Sequence, residues 1–238
     1  MVVTEIERRT TLTTSSADPH IGQAPSRLAT VQDFVNTRDI EQSTDELTSP
    51  TGLDRWLAAH GLRPAAPTAH ESTRRASGRE RGPGSRSDAA DLALAVDLRE
   101  TLRAVLRSHI RPPRGPGRPP EARAGDPGGA AAAARLAEIA AGLPAAITAG
   151  ADGGVRLVTP SADSRGALTT ILLISAEAQT LGTWARLKVC SADDCEWAFY
   201  DRSPTRNGCW CSMQICGSRA KSRAYRRRAT GRADAVTT

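Results

Sequence analysis

The sequence predicts an α+β protein: a mostly helical N-terminal domain with one small β-hairpin, then a compact cysteine-rich module ending in a basic helix. Three observations carry this. Apolar residues recur at helical spacing through several segments of the first 185 residues. All five cysteines fall between Cys190 and Cys216. Behind them, Gly217 to Arg232 carries seven basic residues and no acidic one. At 238 residues the chain is long enough for one good core and a small appended module.

Residues 1–25 are polar and rich in Thr and Ser, and they read as a disordered arm with no apolar run of the kind a signal peptide needs. Order is expected from residue 26. In RLATVQDFVNTRD, Leu28, Val31, Phe34 and Val35 share one helical face, and Asn36-Thr37-Arg38-Asp39 ends the helix. TGLDRWLAAHG gives a second helix, with Leu53, Trp56 and Leu57 inward and Gly61 as its stop. Residues 63–87 are polar and punctuated by Pro and Gly, a loop insertion.

Asp88 to His109 forms the longest amphipathic helix, striped by Leu92, Val96, Leu102, Val105 and Leu106. Residues 111–129 hold six prolines and five glycines and admit no regular structure. Within them RPPRGPGRPP (Arg111 to Pro120) loosely resembles an AT-hook core but reads as a low-complexity insertion. Ala130 to Ala141 is the next helix. Ala145–Thr148 and Val155–Thr159 flank a Gly-Ala-Asp-Gly-Gly turn and form a hairpin. Ser164 to Trp184 is the last helix of a domain spanning 26–185, with Leu168, Ile171, Leu172, Ser175, Ala178 and Leu181 inward.

The net charge is +6, and from Leu181 onward eleven Lys/Arg stand against five Asp/Glu, so the whole excess sits at the C-terminal end of a neutral body. That asymmetry suits an effector domain carrying a nucleic-acid-binding end. No stretch is apolar for eighteen residues, so no membrane span is expected, and the chain reads as cytoplasmic with reduced thiols. Its Ala, Arg, Gly and Pro enrichment suggests a high-GC bacterial genome.

Cys190 and Cys195 have four residues between them, as do Cys211 and Cys216, and fifteen residues separate the pairs. Two short loops each supplying two soft thiolates suit one tetrahedral Zn²⁺ at about 2.3 Å. An odd cysteine count without a signal peptide argues against disulfides. Cys209 and Cys211 point the same way along an extended segment. Cys211 restores the four-residue gap and is the expected ligand, leaving Cys209 as a spare thiol or alternative ligand. The expected site is therefore one structural zinc on Cys190, Cys195, Cys211 and Cys216. Four thiolates leave no open position for a reactive water, which argues against catalysis there.

On a helix over 217–232, Arg219, Arg223, Arg226 and Arg227 share one face, and Lys221, Tyr225, Arg228 and Arg232 lie along an adjoining one. Ala220 and Ala224 make a narrow strip suited to packing. Like charges at this density repel, so the helix is expected to need docking or a polyanion, and phosphate backbone is the obvious one. Arg219, Lys221, Arg223, Arg226, Arg227 and Arg228 are the candidate nucleic-acid contacts. Arg219 and Arg223, one turn apart near the helix start, are the candidates for base edges.

The run WCSMQICGSRAKSRAYRRR resembles the signature of the CGNR-type zinc finger, and VCSADDCEWAFYDRS resembles the same module's first ligand pair and the strand behind it. The resemblance implies a treble-clef-like finger over 186–232, followed by a 233–238 tail, with Cys190, Cys195, Cys211 and Cys216 on the four zinc positions. Two residues depart from it. Ser218 stands where the family has Asn, and Cys209 where a basic residue is usual before the Trp. Serine can still bond a backbone amide as a helix cap.

Upstream, FVNTRD, LDRWLAAHGL, the long Leu/Arg helix, the hairpin and the helix before the finger resemble the ABATE domain, which precedes CGNR fingers. This implies a transcription regulator in which a mixed α/β domain senses a stress signal, small molecule or protein effector.

No enzyme is expected. His20, His60, His70 and His109 are scattered, and the chain has no phosphate loop, nucleophile elbow or paired-carboxylate signal. The leading reading is a zinc-dependent regulator binding double-stranded DNA. A protein-interaction module using Trp197, Phe199, Tyr200 and Trp210 is one alternative, and a single-stranded nucleic-acid binder stacking bases on the same rings is another.

Overall fold

The computed structural model describes residues 21–62, 86–110 and 127–234, with side chains to Arg226. Residues 1–20 of the expected arm, most of the 63–87 insertion, the AT-hook-like run at 111–120 and the last four residues lie outside the described residues. So do the side chains of Arg227, Arg228 and Arg232.

The element order is β1 (Ile21–Gly22), α1 (Leu28–Val35), β2 (Arg38–Asp39), β3 (Thr44–Asp45), α2 (Pro50–Ala59), α3 (Ala89–Ser108), α4 (Pro127–Ala141), β4 (Ala146–Ala149), β5 (Val155–Val158), α5 (Ser164–Thr180), β6 (Leu187–Val189), β7 (Ala198–Asp201) and α6 (Ser218–Asp234). Among the described residues no helix is long and apolar enough to cross a membrane.

Helix starts follow ordinary capping chemistry. Ser49 caps α2 by accepting from the Gly52 amide, with Pro50 supplying a preset φ at the first helical position. Asp88 and Asp91 form a reciprocal capping box on α3, and Asp163 caps α5. The core is built from the apolar faces of α1, α2, α3 and α5. Val31, Phe34, Leu53, Leu57, Leu98, Leu102, Leu168 and Ile171 are all fully buried there. Trp56 lies within it, stacked on His60 at 3.9 Å between ring centroids.

Four expectations need correction. Order begins upstream of residue 26, because Ile21 and Gly22 pair antiparallel with Asp201 and Tyr200. The buried stripe of α3 runs through Ala95, Leu98, Arg99, Leu102, Arg103 and Leu106, with Leu92, Val96 and Val105 only partly buried. Two arginines lie inside, Arg99 with its charge met by a carboxylate and Arg103 with only Nη2 hydrogen-bonded and Glu100 3.6 Å from its Nε. Arg99 donates to both carboxylate oxygens of Asp45 at 2.6 and 2.9 Å, and Arg103 to the carbonyls of Val35 and Arg38. The helix α4 begins at Pro127, inside the expected loop, since proline is tolerated in a first turn. Finally, α5 stops at Thr180, and Leu181 is 68% exposed. Gly182, at φ +69°, takes the left-handed conformation that ends the helix, and Trp184–Arg186 is a separate 3₁₀ turn.

The β1–β7–β6 sheet joins the helical part to the cysteine-rich module. Where β1 ends, side-chain amides from α1 take over the edge of β7. Asn36 accepts from the Ala198 amide at 2.7 Å and donates to its carbonyl at 2.9 Å. Gln32 reaches the same carbonyl at 3.1 Å and accepts from Ala24 at 2.6 Å. Replacing Asn36 with alanine is expected to leave the fully buried Ala198 amide unsatisfied, lowering stability by about 2 kcal/mol in urea unfolding.

Candidate metal centre

The two strands that carry the cysteine loops divide their side chains between two interiors. Leu187 pairs with Tyr200, Lys188 with Phe199 and Val189 with Ala198. Because side chains alternate along a strand, Leu187, Val189, Ala198 and Tyr200 face the main core, and Phe199 faces a second, smaller cluster. That cluster consists of Cys190, Ala192, Cys195, Phe199 and Cys216, flanked by Trp210 and Cys211.

The first loop closes with the Cys190 amide donating to Trp197 at 2.9 Å and the Cys195 amide to Ala192 at 2.9 Å. Glu196 completes the turn in the left-handed region at φ +51°. The second loop brings Cys211 and Cys216 alongside through a π-helical turn at Met213–Gly217, capped by Ser212. Gly217 packs closely here: a Cβ would meet the end of the Met213 side chain, with Sδ at 2.7 Å, and Trp210 Cδ1 at 3.3 Å, so Met213 would have to move aside. Ser218 does not act as a helix cap. It already has helical geometry at φ −68°, and its hydroxyl donates to the Met213 carbonyl, because the π turn runs straight into α6.

The sulfurs of Cys190, Cys195, Cys211 and Cys216 lie within 4.8 Å of one another. Cys195 and Cys211 are 3.6 Å apart, and Cys211 and Cys216 3.7 Å. A tetrahedron of sulfurs about 2.3 Å from a central ion has edges of roughly 3.8 Å, so the donor set fits one metal ion. All five cysteines are unbridged. Crowded thiols cannot all ionise without a cation between them. Hydrogen bonds from Cys195 and Cys211 push the Cys190 thiol down to about 2, and Cys190 in turn pushes Cys195 up to about 12 and raises Cys211. Cys209 stands outside the group of four. Its contribution is a backbone one, the carbonyl accepting from the Ser191 amide at 2.9 Å and tying the two loops together.

A buried ion pair behind the site went unread in the sequence. Lys188 and Asp201 are 1% and 0% exposed. Lys188 Nζ donates to Asp201 at 2.7 Å and to the carbonyls of Arg206 and Gly208 at 2.7 and 3.1 Å. Asp201 accepts further bonds from the Ser203 and Gly208 amides. Burial would raise its carboxyl pKa, but these bonds outweigh that and hold it below the usual carboxylate range. The pair thus shapes the loop that delivers Cys209 and Cys211. Its sequence trace was the charged residues within short apolar strands, which periodicity counts as solvent-facing.

Contacts from the helical domain also reach the module. His109, at the end of α3, lies edge-on to Trp184 and donates from Nδ1 to the Leu187 carbonyl at 2.7 Å. Burial pushes its pKa down, which keeps the ring neutral. Arg107 pairs with Glu196 of the first loop.

Of the expected aromatic surface, Phe199 and Tyr200 are buried, Trp210 is half-buried against the cysteines, and Trp197 is 36% exposed. On α6, Ala220 and Ala224 are half-buried, and Lys221, Tyr225 and Arg226 are exposed. Arg219, Arg223 and Arg226 line an open groove of about 460 Å³ with Gln214, Ile215, Ser218 and Ser222. The two candidates for base edges have carboxylates beside them. Arg219 is 2.7 Å from Glu41 and Arg223 is 3.6 Å from Asp194.

Comparison with protein families matches residues 186–229 to the CGNR zinc finger and residues 28–186 to ABATE, a family described as "Putative stress-induced transcription regulator". No curated protein matches the chain. The ABATE match covers more than half of the sequence and meets the finger match at Arg186, where the 3₁₀ turn hands the chain to β6. The chain belongs to the ABATE family and carries a CGNR zinc finger at its C-terminal end.

Proposed function

We propose that this protein is a DNA-binding transcription regulator. Its finger holds one structural Zn²⁺ on Cys190, Cys195, Cys211 and Cys216 and presents α6 to the phosphate backbone of duplex DNA. The observation that carries the reading is the docking of an arginine-rich helix directly behind the fourth cysteine. Zinc supplies a fixed tetrahedral node when bound. The chain's own residues do the rest: the π turn ending at Gly217 leads the fourth cysteine directly into α6, and Arg219, Lys221, Arg223 and Arg226 project from it. Arg227 and Arg228 extend the basic run along the sequence. The N-terminal domain is the part that receives the stress signal, in keeping with its family's description.

If four to six phosphates are neutralised, log affinity falls against log salt with a slope of about −4 to −5. A salt-titrated gel shift with duplex DNA measures this, and a flat response overturns the reading. A second reading has its own support: Met213, Ile215 and Tyr225 are 37%, 51% and 75% exposed beside the basic face, an apolar rim that suits a protein partner. Capture of a partner that survives nuclease and high salt would favour it.

A further inference from the structure

We infer that the N-terminal domain restrains DNA binding through its β2–β3 hairpin, whose tip places Glu41 on Arg219 as a competitor for phosphate. This rests on the DNA-binding reading and adds its regulation. Arg219 opens the basic face of α6, and its guanidinium is 2.7 Å from the Glu41 carboxylate. One turn along, Arg223 is 3.6 Å from Asp194 of the first cysteine loop. Two carboxylates from different parts of the chain therefore stand beside the first two arginines of the proposed contact face. A phosphate approaching Arg219 must displace Glu41 or sit beside a like charge.

The position of Glu41 is built in. The hairpin that presents it has strands of two residues each, too short to hold a shape alone. It is fixed from beneath by the bidentate Arg99–Asp45 pair, by Arg103 on the Arg38 carbonyl, and by the Glu46 amide on the Thr37 carbonyl at 2.8 Å. The tip is further shaped by the Gln42 amide on Asp39 and by Ser43 at φ +54°. Arg99 and Arg103 belong to α3, at the centre of the helical domain, and are 1% and 2% exposed. The hairpin that carries Glu41 is thus held by α3 on one side and by the end of α1 on the other. The latch is a line of contacts from α3 through Asp45 and the hairpin tip to Arg219.

An exposed pair of this kind is weak, so the effect is a tuning of affinity rather than a block. The experiment compares the full-length metal-loaded protein with Glu41→Gln on one duplex across a salt series. A charge-matched control, Asp152→Asn on the β4–β5 turn, reports the effect of net charge alone. Glu41→Gln is expected to tighten binding about threefold at low salt. It should also steepen the log–log salt slope by up to about one, since no cation need then be taken up by a released carboxylate. The control should stay within the wild-type error. Glu41→Gln and wild type binding equally, or the control gaining as much as Glu41→Gln, overturns the latch and leaves the DNA-binding reading standing. Absence of duplex binding in wild type and Glu41→Gln alike overturns both.

Discussion

Removing the metal, by chelator or by serine at Cys195 or Cys216, is expected to unfold both cysteine loops and detach α6. The side-chain cluster around the four sulfurs is too small to stand by itself: Ala192 and Phe199 are its only fully buried residues other than cysteine among those described. In small modules a structural zinc contributes on the order of 10 kcal/mol of folding free energy, more than this cluster supplies by burial. The loss should be local. The face of β6–β7 formed by Leu187, Val189, Ala198 and Tyr200 belongs to the main core and has β1, Asn36 and Gln32 along its edge. Hydrogen exchange should therefore show lost protection over 190–196 and 209–217, with α1, α3 and α5 still protected. Metal content by mass spectrometry should fall from one ion per chain to none. Cys209→Ser should keep the ion. If it loses the metal while Cys211→Ser retains it, the ligand register is wrong, and metal-free protein with both loops still protected would end the zinc proposal altogether.

The second large effect is expected at Asp201. Alanine there leaves the Lys188 ammonium, 1% exposed, without its counter-charge, while the Ser203 and Gly208 amides lose their acceptor. Breaking a buried pair from one side costs about 3–5 kcal/mol, because the desolvated charge stays behind. The loop from Arg202 to Cys209 is anchored on this carboxylate, so metal affinity should fall along with the urea midpoint. Asp201→Asn, which can still accept from one of the two amides, should fall between wild type and alanine. A loss under about 1 kcal/mol for Asp201→Ala would mean that water reaches the lysine and that the pair does not organise the loop.

Much of the helical architecture could be read from side-chain spacing. Leu28, Val31, Phe34 and Val35 on α1, and Leu53, Trp56 and Leu57 on α2, are inward because 3.6-residue periodicity is a direct record of which face meets the core. The β4–β5 hairpin was equally plain from its glycine-rich turn. What stayed hidden depended on partners distant in sequence. Arg99 and Arg103 are scored as polar by any pattern, yet they are buried, with partners at Asp45, Val35 and Arg38 that lie tens of residues away in the sequence. Two-residue strands such as β1 and β2 carry no periodicity at all and exist through pairing alone. In the candidate site, equal gaps between cysteines foretold which sulfurs come together. The same residues could not reveal that Glu41 and Asp194 would sit beside Arg219 and Arg223, since those contacts follow from how α6 leaves the finger.

The alternating faces of β6 and β7 impose a condition on chain length. An inserted residue that shifts the pairing of β6 by one place would turn the strand over, carrying the Lys188 ammonium into the aliphatic interior and pushing leucine and valine side chains among the thiols. Both compartments would fail together, although only one had been edited. Homologues should therefore vary freely in the segments around residues 63–85 and 111–126 while keeping the distance from the start of β6 to the first cysteine constant.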